Sequence, residues 1–269
     1  MFDGCNKTII PAYYKSGLME NNLNFNPADY IDDEDTVISH QTIKSVFITP
    51  KTTDELKKLV AHRFKENPTN PYLLDINTSL ITDMSGLFAS EKDNELAGYN
   101  EYFKIFDIDL NSPIYYTNKL ILDLSTWNTS NVTDMSWMFY SCYMSKLDIS
   151  NFDTSNVTNM DVMFAKCTLL EKIDVSKWDT SKVMSMGGMF FDCESLIELD
   201  LSTWDVSNVS NMFSMFTFCE SLKALNLSNW SISNTILIDT MFTDCKSLET
   251  LNLLNWNIDN NKNISGMFD

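Results

Sequence analysis

Histidine and glycine are scarce in this chain, at two and seven of 269 residues. So few glycines leave little material for phosphate-cradling loops, where the backbone must approach its ligand closely. Two histidines and no Cys-x-x-Cys pair argue against a zinc centre. Basic residues are also in deficit, 19 against 37 acidic, and the net charge of −18 disfavours nucleic acid and anionic membranes as direct partners. No stretch approaches the roughly 18 apolar residues of a membrane span, so direct membrane insertion is not expected. The opening residues MFDGCNKTII carry neither a basic n-region nor an apolar h-region, so the chain as it stands shows no secretory signal. Either the protein is cytoplasmic or virion-associated, or its true start lies upstream. Met1-Phe2-Asp3-Gly4-Cys5 itself reads like the end of a repeat copy, which fits the second expectation. No nucleophile–base pair, phosphate loop or metal constellation can be named, so no cofactor and no enzymatic activity are expected.

What the chain has is a period. An aromatic recurs at Trp127, Phe152, Trp178, Trp204, Trp230 and Trp256, a step of 25 and then of 26 four times over. Eleven residues after each comes a pair: Met138-Phe139, Met163-Phe164, Met189-Phe190, Met215-Phe216, Met241-Phe242, Met267-Phe268. Cys142, Cys167, Cys193, Cys219 and Cys245 keep the same step. A fixed period of this length is the signature of a stacked repeat array.

The clearest copy, Leu147–Cys167, shows why the unit repeats. Leu147 and Ile149 alternate with Lys146, Asp148 and Ser150, a short strand with one apolar face. Phe152 leads into Asp153-Thr-Ser-Asn, whose short polar side chains suit a turn. Val157, Met160, Met163 and Phe164 then form a stripe that predicts a short helix or helical turn. A lone copy buries too little to offset the entropy of ordering its backbone. Stacking lets each copy cover its neighbour's open edge.

The run W-[DN]-x-S-x-V-x-x-M-x-x-M-F-x-x-C, as in Trp178–Cys193, resembles the BspA-like leucine-rich-repeat family in its mycoplasma-type variant. The resemblance covers six successive copies, over half the chain. It implies an α/β repeat fold: a leucine-rich-repeat-type solenoid of about 26 residues per coil, with a short strand and a short helical turn in each. It also implies a non-enzymatic binding or adhesion role at a cell surface, and it carries over no catalytic residue.

Four regions follow. Residues 1–45 are irregular, and Asp29–Asp35 reads as a solvated acidic loop, because no tight glycine turn follows to build a calcium site. Residues 46–88 hold an N-terminal capping helix and a degenerate first repeat. Thr52-x-x-Glu55 is a capping box, Leu56, Leu59, Val60 and Phe64 share a face, and Ile76 takes the Trp position. Residues 89–119 are an aromatic-rich insertion, and 120–269 are six coils.

Three columns carry the functional expectations. The cysteines read as an inward ladder of free thiols. Asp123, Asp148, Asp174, Asp200, Asn226 and Asn252 form a polar column. Its stacked carboxylates need solvent, hydrogen bonds to neighbouring amides or hydroxyls, or bridging cations; the hydrogen bonds are expected rather than calcium. Beside it Ile121, Lys146, Lys172, Glu198, Ala224 and Thr250 vary, as an outward binding surface would. The candidate binding face is therefore Lys146, Asp148, Lys172, Asp174, Glu198 and Asp200, for a protein or a cell-surface ligand. The alternative is a structural component of an envelope or virion assembled through the ends of the stack, with end-to-end self-association. Sequons such as Asn131-Val-Thr, Asn156-Val-Thr and Asn208-Val-Ser follow from the repeat's own lettering.

Overall fold

The structure is a computed structural model that describes residues 47–89, 120–258 and 263–269. The readings of the N-terminal segment, of Asp29–Asp35 and of the aromatic-rich insertion lie outside the described residues.

Helix α1 (Thr53–Glu66) starts where the sequence signals it: the Thr52 side chain accepts from the Glu55 amide at 3.2 Å, and Glu55 reaches back to the Lys51 amide at 2.7 Å. Its Leu56, Val60, Ala61 and Phe64 are buried. Phe64 lies 6.2 Å from Phe88, ring to ring, and the Thr53 hydroxyl donates to the Asp83 carbonyl at 2.7 Å. Arg63 donates to Asp75 at 2.7 Å across the same contact, where burial pushes the Asp75 carboxyl up to about 7. The helix thus lies over the copy built on Ile76, Met84, Leu87 and Phe88. That copy stacks directly on the one built on Trp127, with Asp83 bridged in parallel to Asp134.

Among the described residues regular strands are few. β1 (Leu120–Asp123) pairs in parallel with β2 (Met144–Asp148), and β3 (Ala224–Asn226) with β4 (Thr250–Asn252). A second line of parallel bridges runs Asp83, Asp134, Asn159, Ser185, Asn211, Leu237, Asn263, one residue from each of seven copies. The apolar columns line up along it. Phe88, Phe139, Phe164, Phe190, Phe216, Phe242 and Phe268 stack with centroids 5.3 to 5.9 Å apart. Trp178, Trp204, Trp230 and Trp256 stack at 6.1 to 6.5 Å. Such offset stacking is favourable beyond the area it buries.

The stripe Val157, Met160, Met163, Phe164 does not lie on a helix. The segment is a chain of overlapping turns: the Met163 amide donates to the Met160 carbonyl at 3.3 Å, and Cys167 to Phe164 at 3.1 Å. Each of these two turns has a left-handed third residue, Val162 and Lys166, both at φ 60. That geometry defines a type II turn. The first left-handed position recurs as Gly86, Trp137, Val162, Gly188, Ser214, Thr240 and Gly266.

Between the turn bonds the alternate amides reach the next coil. Met135, Trp137, Phe139 and Ser141 donate to Asn159, Asp161, Met163 and Ala165 at 2.8 to 3.0 Å, and the same pattern repeats down the stack. Gly188 tests the turn assignment. A methyl there would meet nothing nearer than Phe191 Cβ at 3.7 Å, so its φ of +60 is the obstacle. Gly188→Ala should lower stability by about 1 kcal/mol in urea unfolding. No change would mean that this turn is not left-handed in solution.

Candidate binding surfaces

Each coil turns at Asx corners. Asp123 accepts from the Ser125 amide at 3.1 Å and from its hydroxyl at 2.7 Å, and Asp174 and Ser176 do the same. Asp148, Asp200 and Asn226 accept from the amide two residues on. The hydroxyls of Ser150, Ser176 and Ser202 first, and their amides second, hold the carboxyls of Asp148, Asp174 and Asp200 below the usual carboxylate range. A second set of corners is Asn128, Asp153, Asp179 and Asp205, each accepting from the serine amide two residues on.

Other polar side chains bind coil to coil. The buried Thr129, Thr154 and Thr180 hydroxyls each donate to the next coil's Asp153, Asp179 and Asp205 carbonyls at 2.9 Å. Asn131, Asn156 and Asn208 donate through Nδ2 to the carbonyls of Ser79, Ser130 and Ser181 at 2.7 to 2.8 Å. The sequon nitrogens are therefore committed to the stack. The indole N–H of Trp127, Trp204, Trp230 and Trp256 also reaches back to the preceding coil, at 3.0 to 3.3 Å. Trp178 is the exception, a buried indole N–H with no hydrogen-bond partner, above the one coil that has Phe152 at this position.

Among the described residues Cys142, Cys167, Cys193, Cys219 and Cys245 are free thiols. The Sγ atoms of Cys167, Cys193, Cys219 and Cys245 each lie 3.1 Å from a Phe carbonyl of the preceding coil. Burial pushes the Cys142 thiol up to about 12 and that of Cys245 to about 11. Groups this far from the thiolate are poor nucleophiles.

The six residues of the expected binding face lie along the strand side. Lys146 pairs opposite Ile121, and Asp148 opposite Asp123. Lys172 is bridged to Glu198, and their side chains form an ion pair at 3.2 Å, both largely exposed. Asp174 and Asp200 are exposed, and Asp148 is half-buried. The structure brings these residues onto neighbouring coils, and several already serve turns or each other.

A second surface was not singled out from the sequence. On the flank marked by the Asp83–Asn263 line of bridges, Met184, Phe213, Ile236 and Leu237 are 55, 46, 56 and 41 % exposed. The Ser210 amide donates to the Met184 carbonyl and the Ile236 amide to that of Ser210, so these residues share three adjacent coils. The equivalents of Met184 and Ile236 in earlier coils are Thr133 and Thr158, and those of Phe213 are Ser136 and Asp161. The signal was in two columns, otherwise polar or glycine, that turn apolar at Met184 and Ile236 and at Phe213. Among the described residues no cluster of His, Cys, Asp or Glu is arranged to hold a metal, and no helix is long and apolar enough to cross a membrane.

A family model described as "Mycoplasma protein of unknown function, DUF285" matches residues 108–223 and 170–269. No curated protein and no solved structure gives a match.

Acid titration tests the corners. The folded pKa values of Asp148, Asp174 and Asp200 lie below the unfolded value of about 3.9. Their contribution is thus fully present above that pH and is lost as pH falls through the folded values. Asp148→Asn, Asp174→Asn and Asp200→Asn together, copying Asn226 and Asn252, should leave stability at pH 7 nearly unchanged. The same triple variant should lose less of it than the parent between pH 4 and 2. Parallel losses would remove these carboxylates from the acid response.

Proposed function

Because the chain belongs to the mycoplasma-type family DUF285, whose match spans more than half of it, we propose that it is a non-enzymatic interaction protein of the BspA-like leucine-rich-repeat kind. In this reading the copies form one leucine-rich-repeat-type solenoid whose outward faces bind a protein or a cell-surface ligand, with adhesion as the biological use. The observation that carries it is the exposed apolar strip Met184, Phe213, Ile236 and Leu237 on successive coils. Exposed apolar side chains gathered on one flank mark interaction sites more often than single ones scattered over a surface. The mixed-charge strand side, Lys146, Asp148, Lys172, Asp174, Glu198 and Asp200, supplies a second face whose residues vary while the frame does not.

Two variants separate the faces. Met184→Thr/Phe213→Ser/Ile236→Thr uses residue types found at the same positions in other coils, so it keeps the stack. Lys146→Glu/Lys172→Glu alters only the strand side. Binding to intact host-type cells, measured by flow cytometry, should fall at least fivefold in the first variant and little in the second. Loss in the second alone would move the site to the strand face, and equal binding by all three proteins would reject both faces.

A structural component assembled through the stack's ends is the second reading. It is favoured by Leu254 and Phe268, which are 81 and 63 % exposed on the last described coil. Helix α1 lies over the opposite end, so two copies of this chain would meet tail to tail, through side chains. Light scattering should then show a dimer at micromolar concentration that Leu254→Lys/Phe268→Lys dissociates. A monomer throughout would exclude self-association through this end.

A further inference from the structure

We infer that the partner segment seated on the flank is a cationic amphipathic helix, an inference that rests on the interaction reading above. The flank runs through residues 82–86, 133–137, 158–162, 184–188, 210–214, 236–240 and 263–266, one stretch per coil. Among these described residues the charged side chains are Asp83, Asp134, Asp161 and Asp239, with no lysine or arginine. Asp134 and Asp161 sit on the two coils that precede Met184. Burial first, and the charge of Asp134 in addition, raise the pKa of the Asp161 carboxyl, one oxygen of which accepts from the Ser185 hydroxyl at 2.5 Å and the Gly187 amide at 2.6 Å. Asp239 sits beyond Phe213, in the coil that carries Ile236 and Leu237, and forms no salt bridge among the described residues. The surface therefore carries Asp134 and Asp161 on its earlier coils, exposed apolar side chains from Met184 to Ile264 on the later ones, and Asp239 beside Ile236 and Leu237, on a chain of net charge −18.

The dimensions suit a helix. From Asp134 to Ile236 is four coil steps, or about 20 Å at the parallel-strand spacing. A helix of about 14 residues spans that length. Its apolar face would cover Met184, Phe213, Ile236 and Leu237, while lysines or arginines toward one end meet Asp134 and Asp161 and another, flanking the apolar face, meets Asp239. An acidic helix would place like charges together, and such juxtaposition discriminates strongly between partners.

Fluorescence anisotropy with two dye-labelled synthetic helices of about 14 residues, one of leucine and lysine and one of leucine and glutamate, tests this. The lysine helix should bind at least tenfold more tightly than the glutamate helix. Met184→Thr/Phe213→Ser/Ile236→Thr should weaken it at least tenfold. Asp134→Asn/Asp161→Asn should weaken it about threefold and reduce its salt dependence, since each substitution removes one screened charge pair. Circular dichroism melts of both variants should match the parent. Equal binding of the two helices would overturn the cationic preference and leave the flank reading standing. Lysine-helix binding that ignores the triple variant and vanishes with salt would mean general attraction to an acidic chain, and would overturn the inference. Binding of neither helix would overturn the inference and count against the flank as the docking surface.

Discussion

Everything in the stack depends on where its amide hydrogens go. In the segment from the first methionine to the cysteine, each second amide closes a turn within its own coil and the others donate to the next coil. A buried backbone group left unpaired costs as much as a lost hydrogen bond, so this division of donors is close to obligatory. It comes with left-handed residues. Two of the three turns from Met160 to Cys167 carry a positive φ at their third residue, Val162 and Lys166, and the chain accepts that conformation even at the β-branched Val162 and Thr240. Strain of about 1–2 kcal/mol at such positions is tolerated because the surrounding bonds over-determine them.

The side chains complete what the backbone begins. Among the described residues strand pairing is confined to short pieces, and much of the remaining contact between coils is side chain to backbone: the Thr129, Thr154 and Thr180 hydroxyls forward, and those of Thr158 and Thr235, the asparagine amides and the indole N–H groups backward. This is why the repeat is so rich in Asp, Asn, Ser and Thr. These residues are elsewhere the vocabulary of solvated loops. Here several are buried, and the Asn-Val-Thr motifs are part of the frame.

The apolar columns were readable because burial demands the same kind of side chain once per period, and Trp204, Trp230, Met189 and Phe190 are indeed almost inaccessible. The cap was readable because Thr52 and Glu55 carry its chemistry in four residues. The local path of Val157–Phe164 was not. Steps of three residues arise from successive turns as well as from a helix, and only the glycines at 86, 188 and 266 hint at the difference. The apolar flank escaped for another reason. Averaging over copies finds what the copies share, whereas Met184, Phe213 and Ile236 are departures from the shared lettering.

One copy is a residue shorter than the rest, and the structure shows where that residue can be spared. The spacing from Phe152 to Met163 is unchanged, so the omission falls between Cys142 and Leu147, where β1 and β2 shift register between Leu120 and Ile121. Counted from its first methionine, the turn segment has a parity: odd-position amides donate to the next coil and even-position ones stay within their own. A single insertion there would invert every later donor in the coil. The connection from cysteine to strand has no such parity. Length variation among coils should therefore accumulate in that connection, which acts as the expansion joint of an otherwise phase-locked column.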